Sequence, residues 1–94
     1  MQYIDVQWMH QDSEEPVRLI SELDERRHEL RKLEFFATGE VGFASSAGTS
    51  VDTRLGTEPV PTIEHINAQP EFNGVLMDMQ TFNALWRLHA GDAE

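Results

Sequence analysis

The chain has 94 residues, 39% of them hydrophobic, with 17 acidic side chains against seven Lys and Arg, for a formal charge of −10 at pH 7. That length specifies one domain with a single core and little margin of buried surface. The charge argues against a phosphate backbone or an anionic membrane as the main partner, since the summed field repels both, and the lack of cysteine excludes disulfide staples and thiolate-held zinc.

The opening residues, MQYIDVQWMHQD, carry neither a basic region nor an apolar run, and no stretch has the length of a membrane span. The expectation is a soluble, cytoplasmic protein. Residues 2–9 alternate, with Ile4, Val6 and Trp8 on one side and Tyr3, Asp5, Gln7 and Met9 on the other, which predicts a half-buried strand. HQDSEEP (10–16) is polar and ends in proline, a loop. VRLISE (17–22) alternates again, so the two runs predict a β-hairpin.

SELDERRHELRKLEFF (21–36) admits two readings. As a helix, Ser21 and Asp24 resemble a capping box, Leu23, Leu30 and Leu33 share a face, and Glu22–Arg26 and Glu29–Lys32 are spaced for helical ion pairs. As a hairpin, a turn at 24–28 leads into a strand at 30–37, which pairs through the Thr38-Gly39 turn with a strand at 40–44. The helix would leave that last strand without a sequential neighbour, and a lone short strand is poorly stable.

SSAGTSVDTRLGTEPVP (45–61) reads as a long connection with a short extension of the sheet edge near Val51. TIEHINAQ (62–69) predicts a short helix started by Pro61 or Thr62, with Ile63 and Ile66 toward the sheet and Pro70 stopping it. FNGVLM (72–77) reads as extended or irregular. Asp78 then caps MQTFNALWRLHA, where Phe82, Leu85 and Trp86 form an apolar stripe, and Gly91 ends the helix before a tail at 91–94.

No residue pattern announces chemistry. Of the four histidines, His10 with Asp12 supplies too few ligands for a zinc site, and no His pair stands at helical spacing around a Glu. Ser45 and Ser46 lack a nucleophile-elbow motif, and Gly39, Gly42 and Gly48 do not match a phosphate-binding loop. No catalytic residue, metal or cofactor is assigned. Arg26, Arg27, Arg31 and Lys32 are outnumbered by Glu22, Asp24, Glu25, Glu29 and Glu34, which favours a mixed-charge ribbon over a nucleic-acid site. Trp8 and Trp86 are expected to meet as core anchors between sheet and helix. Phe35 and Phe36 are adjacent, so a strand turns them to opposite faces and one lies open.

The segments VQWMH, EEPV, SELD, ELRKLEFFATGEVGFA, PVPTIEHINAQPEF and FNALW resemble a family of short bacterial domains of unknown function. Its pattern is V-Q-W-x-H, E-P-V, E-x-R-K-x-E, G-x-x-G-(F/Y), P-x-P-x-x-x-x-I-N and F-x-x-(L/I)-W, and it spans nearly the whole chain. The resemblance implies an antiparallel sheet followed by helices, and so favours the hairpin at 21–36. The chain departs from the pattern at RRH (26–28), where a turn rich in Asp and Gly is expected.

The predicted fold is therefore α+β: one domain over residues 1–90, a four-stranded antiparallel meander with two short C-terminal helices packed on one face. The predicted function is that of an acidic, non-enzymatic inhibitor of a basic, nucleic-acid-binding protein, as a monomer or homodimer. A toxin's immunity protein and a phage inhibitor of a defence nuclease, of the anti-CRISPR kind, both fit. Asp12, Glu14 and Glu15 in the first loop, Glu22, Asp24 and Glu25 at the second turn, and Phe36 are the predicted partner-binding residues. Their carboxylates would stand where phosphates otherwise bind. The alternative is a small ligand-binding domain or enzyme with loop 45–61 as a lid.

Overall fold

A computed structural model describes residues 1–91, so of the predicted tail only Gly91 is among the described residues. The elements are β1 (Gln2–Trp8), β2 (Arg18–Leu23), β3 (Glu29–Phe35), β4 (Val41–Ser45), β5 (Gly48–Thr49), α1 (Ile63–Asn67), β6 (Phe72–Met77) and α2 (Met79–Ala90). They build one six-stranded sheet of order β5-β4-β3-β2-β1-β6, antiparallel at every pairing. The first four strands form the predicted meander. The count of four is corrected by β5 and by β6, which returns to pair with β1. β6 lacks a period-two pattern because it is an edge strand with little cover: Gly74 is its one buried residue, while Val75 and Leu76 are exposed.

Residues 21–36 form the hairpin. Asp24, which resembled a helix cap, caps a turn instead: its carboxylate accepts from the backbone N–H of Arg26 and of His28. Arg27 adopts φ 66° where the family pattern favours Gly or Asp. That backbone costs an L-residue roughly 1 kcal/mol. The Arg27 guanidinium offsets it by donating to the carbonyls of Val60 and Pro61 and to Gln2.

The helices lie on opposite faces of the sheet, correcting the expectation of one shared face. Tyr3, Ile20, Leu33, Phe35 and Phe43 point to the side covered by α2, where Phe82, Trp86 and Ala90 recur at helical spacing. Asp78 caps α2 by accepting from Thr81 N–H, and Gly91 terminates it at φ 62°. Ile4, Val6 and Leu23 point to the other side and pack with Ile66 of α1, Val60 and Phe72. Trp8 and Trp86 therefore never meet. Successive residues of one strand serve two separate cores, which explains why Tyr3 and Ile4 are both buried.

Each core contains charge. On the α2 face, Glu22 accepts from Arg31 Nε at 2.7 Å and from Tyr3 Oη at 3.0 Å, and Arg31 also donates to Asn83 of α2. The guanidinium lies 4.8 Å from the Phe82 ring centroid and 5.3 Å from that of Trp86. Burial pushes the Glu22 carboxyl up, but the Arg31 and Tyr3 hydrogen bonds outweigh it and leave its pKa below the usual carboxylate range. Burial and the bond to Glu22 raise that of Tyr3.

On the α1 face, Lys32 is held by Glu29 at 3.1 Å and lies 3.8 Å from Glu34. Residues three apart on a regular strand face opposite ways. A register shift between Glu22 and Leu23 leaves Leu30 as the extra residue and turns Glu29 to the same side as Lys32. This network fastens the long connection. Thr53, fully buried, donates to Glu34, and Gly56 N–H donates to Glu29. Residues 50–61 thus form a strap across the sheet.

Side chains cover the free edge of β6 and the stretch of β4 that the short β5 leaves unpaired. Asn67 donates to the carbonyl of Gly74 and accepts from its N–H, while Ser50 does the corresponding work on β4 by bonding Phe43 through its hydroxyl and its backbone N–H.

Two outcomes follow. Glu22→Gln removes the carboxylate charge that Arg31 and Tyr3 share and should cost about 1.5–3 kcal/mol at pH 7, the scale of a hydrogen bond to a charged group. Because the folded pKa of Glu22 is depressed, this stabilisation is present above the ordinary carboxylate pKa and lost as pH falls through the folded value. Urea denaturation should therefore show the gap between wild type and Glu22→Gln closing under acid. Gly42→Ala places a methyl 2.1 Å from Thr53 Oγ1 and 3.2 Å from the Ser50 carbonyl. It should destabilise by about 1–3 kcal/mol and accelerate amide exchange at Gly56, with partial recovery in Gly42→Ala/Thr53→Ala.

Candidate partner-binding site

Four backbone hydrogen bonds draw three loops into one rim at an end of the sheet: Trp8 N–H to Val17, Met9 N–H to Glu71, Val17 N–H to Phe35 and Phe36 N–H to Glu40, at 2.7–2.9 Å. The rim comprises residues 9–17, 36–40 and 70–71. It contains Asp12, Glu14, Glu15, Glu40 and Glu71, all exposed, and no Lys or Arg. The neighbouring cation, Arg18, is held in a two-pronged contact with Asp5 at 2.9 and 2.7 Å and lies over the Phe35 ring. On one side the last turn of α2 reaches this end, with His89 edge-on to Phe35 and Arg87 exposed.

The first loop is shaped by its own polar groups. His10 Nε2 donates to the Pro16 carbonyl at 2.8 Å, and Nδ1 accepts from Asp12 N–H at 3.0 Å, which sets the neutral Nε2–H tautomer. Asp12 in turn accepts from Glu14 N–H at 2.9 Å. With both ring nitrogens engaged, His10 has no lone pair for a metal and none for proton abstraction. The loop is backed by aromatic contacts: Trp8 packs 4.4 Å from the His10 ring and 5.6 Å from that of Phe72. Among the described residues no group of three or more His, Cys, Asp or Glu could hold a metal ion.

The seven residues expected to contact a partner separate into three groups. Asp12, Glu14 and Glu15 lie on the rim, and Phe36, half-buried at the β3–β4 turn, lies beside them. Asp24 and Glu25 lie at the opposite end of the sheet. There the Asp24 carboxylate is occupied by backbone N–H groups, chiefly that of His28, which hold its pKa down, and Arg26 and Arg27 adjoin it. Glu22 is not a surface group: it is 7% exposed and committed to Arg31 and Tyr3. Glu40 and Glu71 were not anticipated. Glu40 could have been found, since it follows the Thr38-Gly39 turn that shares an end with the first loop. Glu71 could not, because its place depends on β6 pairing with β1.

No curated protein matches the chain, and no solved structure matches it. A family model described as a domain of unknown function (DUF6881) matches residues 2–91. The chain belongs to that family.

Proposed function

We propose that this protein is a non-enzymatic inhibitor that captures a basic partner protein on the rim formed by residues 9–17, 36–40 and 70–71. The observation that carries the reading is the separation of charge. Arg18, Arg31 and Lys32 are spent on carboxylates within the sheet, and Arg27 on backbone carbonyls, while five exposed carboxylates share an end whose loops hold no cation. A field of that sign speeds encounter with a positive surface. Phe36 supplies an apolar contact at the same rim, and the locked His10 loop fixes the carboxylates before binding, which lowers the ordering cost.

The partner this surface suits is a protein whose own Arg and Lys residues bind nucleic acid, with Asp12, Glu14, Glu15, Glu40 and Glu71 taking the place of phosphates. A toxin neutralised by its immunity protein and a defence nuclease silenced by a phage protein, as anti-CRISPR proteins do, are the two biological settings. Among the described residues no helix is long and apolar enough to cross a membrane, and the reading places the protein in the cytoplasm with its target.

The test is affinity capture from the native host with three baits: wild type, Glu14→Lys/Glu15→Lys/Glu71→Lys, and the opposite-end control Glu25→Lys. A basic protein should be retained by wild type and by the control, released as salt shortens the screening length from about 10 Å at 0.1 M to about 3 Å at 1 M, and lost from the rim variant. Purified, that partner should associate about 10–1,000 times more slowly with the rim variant. Equal recovery by the rim variant and wild type would overturn the reading.

A further inference from the structure

The two faces of the sheet are covered unequally. The 12 residues of α2 span one face, whereas the other has the five residues of α1 and the strap. Between α1 and the strap, over β1 and β2, lies a cavity of about 310 Å³. Ile4, Val6 and Leu19 line its sheet side, and Val60, Ile66 and Phe72 its flanks. Its walls are fixed. Arg27 holds the carbonyls of Val60 and Pro61, and Asn67 clamps the end of α1 to Gly74. Gly74 makes room for that seat, since a Cβ there would lie 3.3 Å from Ile63 and 3.5 Å from Ile66.

One charged group lines this apolar space. The Glu29 side chain is 10% exposed; its Oε1 takes Lys32 Nζ and Gly56 N–H, and its Oε2 takes no partner among the described residues. Lys32 is shared between Glu29 and Glu34, so two carboxylates face one ammonium and a negative charge remains uncompensated. Glu29 is thus a half-buried carboxylate with one oxygen open to solvent at an apolar wall, where a cationic donor gains a charge-assisted hydrogen bond. The complementary ligand combines an apolar body with a cationic N–H donor, and the volume matches the small end of ligand sites.

We propose that this cavity binds a small hydrophobic amine, its apolar body against Ile4, Val6, Leu19 and Phe72 and its ammonium on Glu29 Oε2. This site is independent of the acidic rim. The strap forms one wall of this site and is fastened to the sheet by Thr53 to Glu34 and by Gly56 to Glu29.

The experiment titrates the whole chain at 0.15 M salt with 1-naphthylmethylamine, its neutral analogue 1-naphthalenemethanol and the anion 1-naphthoate, followed by amide chemical shifts. The amine should saturate one site with shifts centred on Ser21, Val60 and Ile66, and bind about ten-fold more tightly than the alcohol, the scale of one charge-assisted hydrogen bond. Naphthoate should not bind. Glu29→Gln should erase the amine's advantage while leaving the alcohol's affinity. Leu19→Trp, at the partly exposed rim of the cavity, should block both ligands in a folded protein, and it decides the matter if Glu29→Gln does not fold. Shifts centred on Glu14, Glu15 and Glu71, unsaturable binding, or unchanged binding in Leu19→Trp would each overturn the proposal.

Discussion

Arg31 and Lys32 stand side by side on β3 and point to opposite faces of the sheet, and each is received by carboxylates largely shielded from solvent. Both layers that cover the sheet are positioned by these contacts. Arg31 links Glu22 to Asn83 and lies under two aromatic rings of α2, so it sets where that helix rests. Lys32 brings Glu29 and Glu34 together, and these carboxylates hold the strap through Gly56 and Thr53. A buried ion pair is weak ground for net stability, because desolvation offsets the attraction. Its clear consequence is the penalty for separating it, which leaves one geometry in which both charges are satisfied.

This internal use of cations changes the meaning of composition. The sequence has seven basic residues, four of them between 26 and 32. Three of those four turn inward or fasten a loop, leaving Arg26 as the exposed member. The surface is thus more negative than a linear count of neighbours suggests, and most one-sided where the loops contain no base. The same redistribution leaves a single charge too many on the carboxylate side at Glu29. The rim and the cavity are two outcomes of one arrangement: the first displays the excess charge to solvent, and the second keeps part of it beneath an apolar cover.

Much of the sheet was legible in the residues. Alternation located β1 and β2, the need of β4 for a neighbour argued for β3, and Asp78 with the Phe82–Trp86 spacing located α2. The second core was not legible. Tyr3, Ile4, Ile20 and Leu23 alternate as a half-buried strand would, and period two alone cannot say that both sides are covered. β6 escaped because an edge strand under sparse cover has no alternation to read. The bulge at Leu30 escaped because ion-pair spacing at Glu29 and Lys32 looked helical, while in the fold an extra strand residue produces the same meeting. Glu22 looked like a surface acid among surface acids. Its register opposite Tyr3 and Arg31, fixed by pairings on both sides, is what takes it inside.

The account stands on the inward commitment of the β3 cations, and side-chain proton exchange at arginine Nε measures that most directly. Observed by ¹⁵N NMR near neutral pH, the Nε–H of Arg31, half-buried and bonded to Glu22, should exchange far more slowly than those of Arg26, Arg54 and Arg87, which lie on the exposed surface. Arg18 and Arg27, bonded at Nε to Asp5 and to the Val60 carbonyl, should fall between. An Arg31 Nε–H that exchanges as fast as that of Arg26 would place this guanidinium in water and contradict the account.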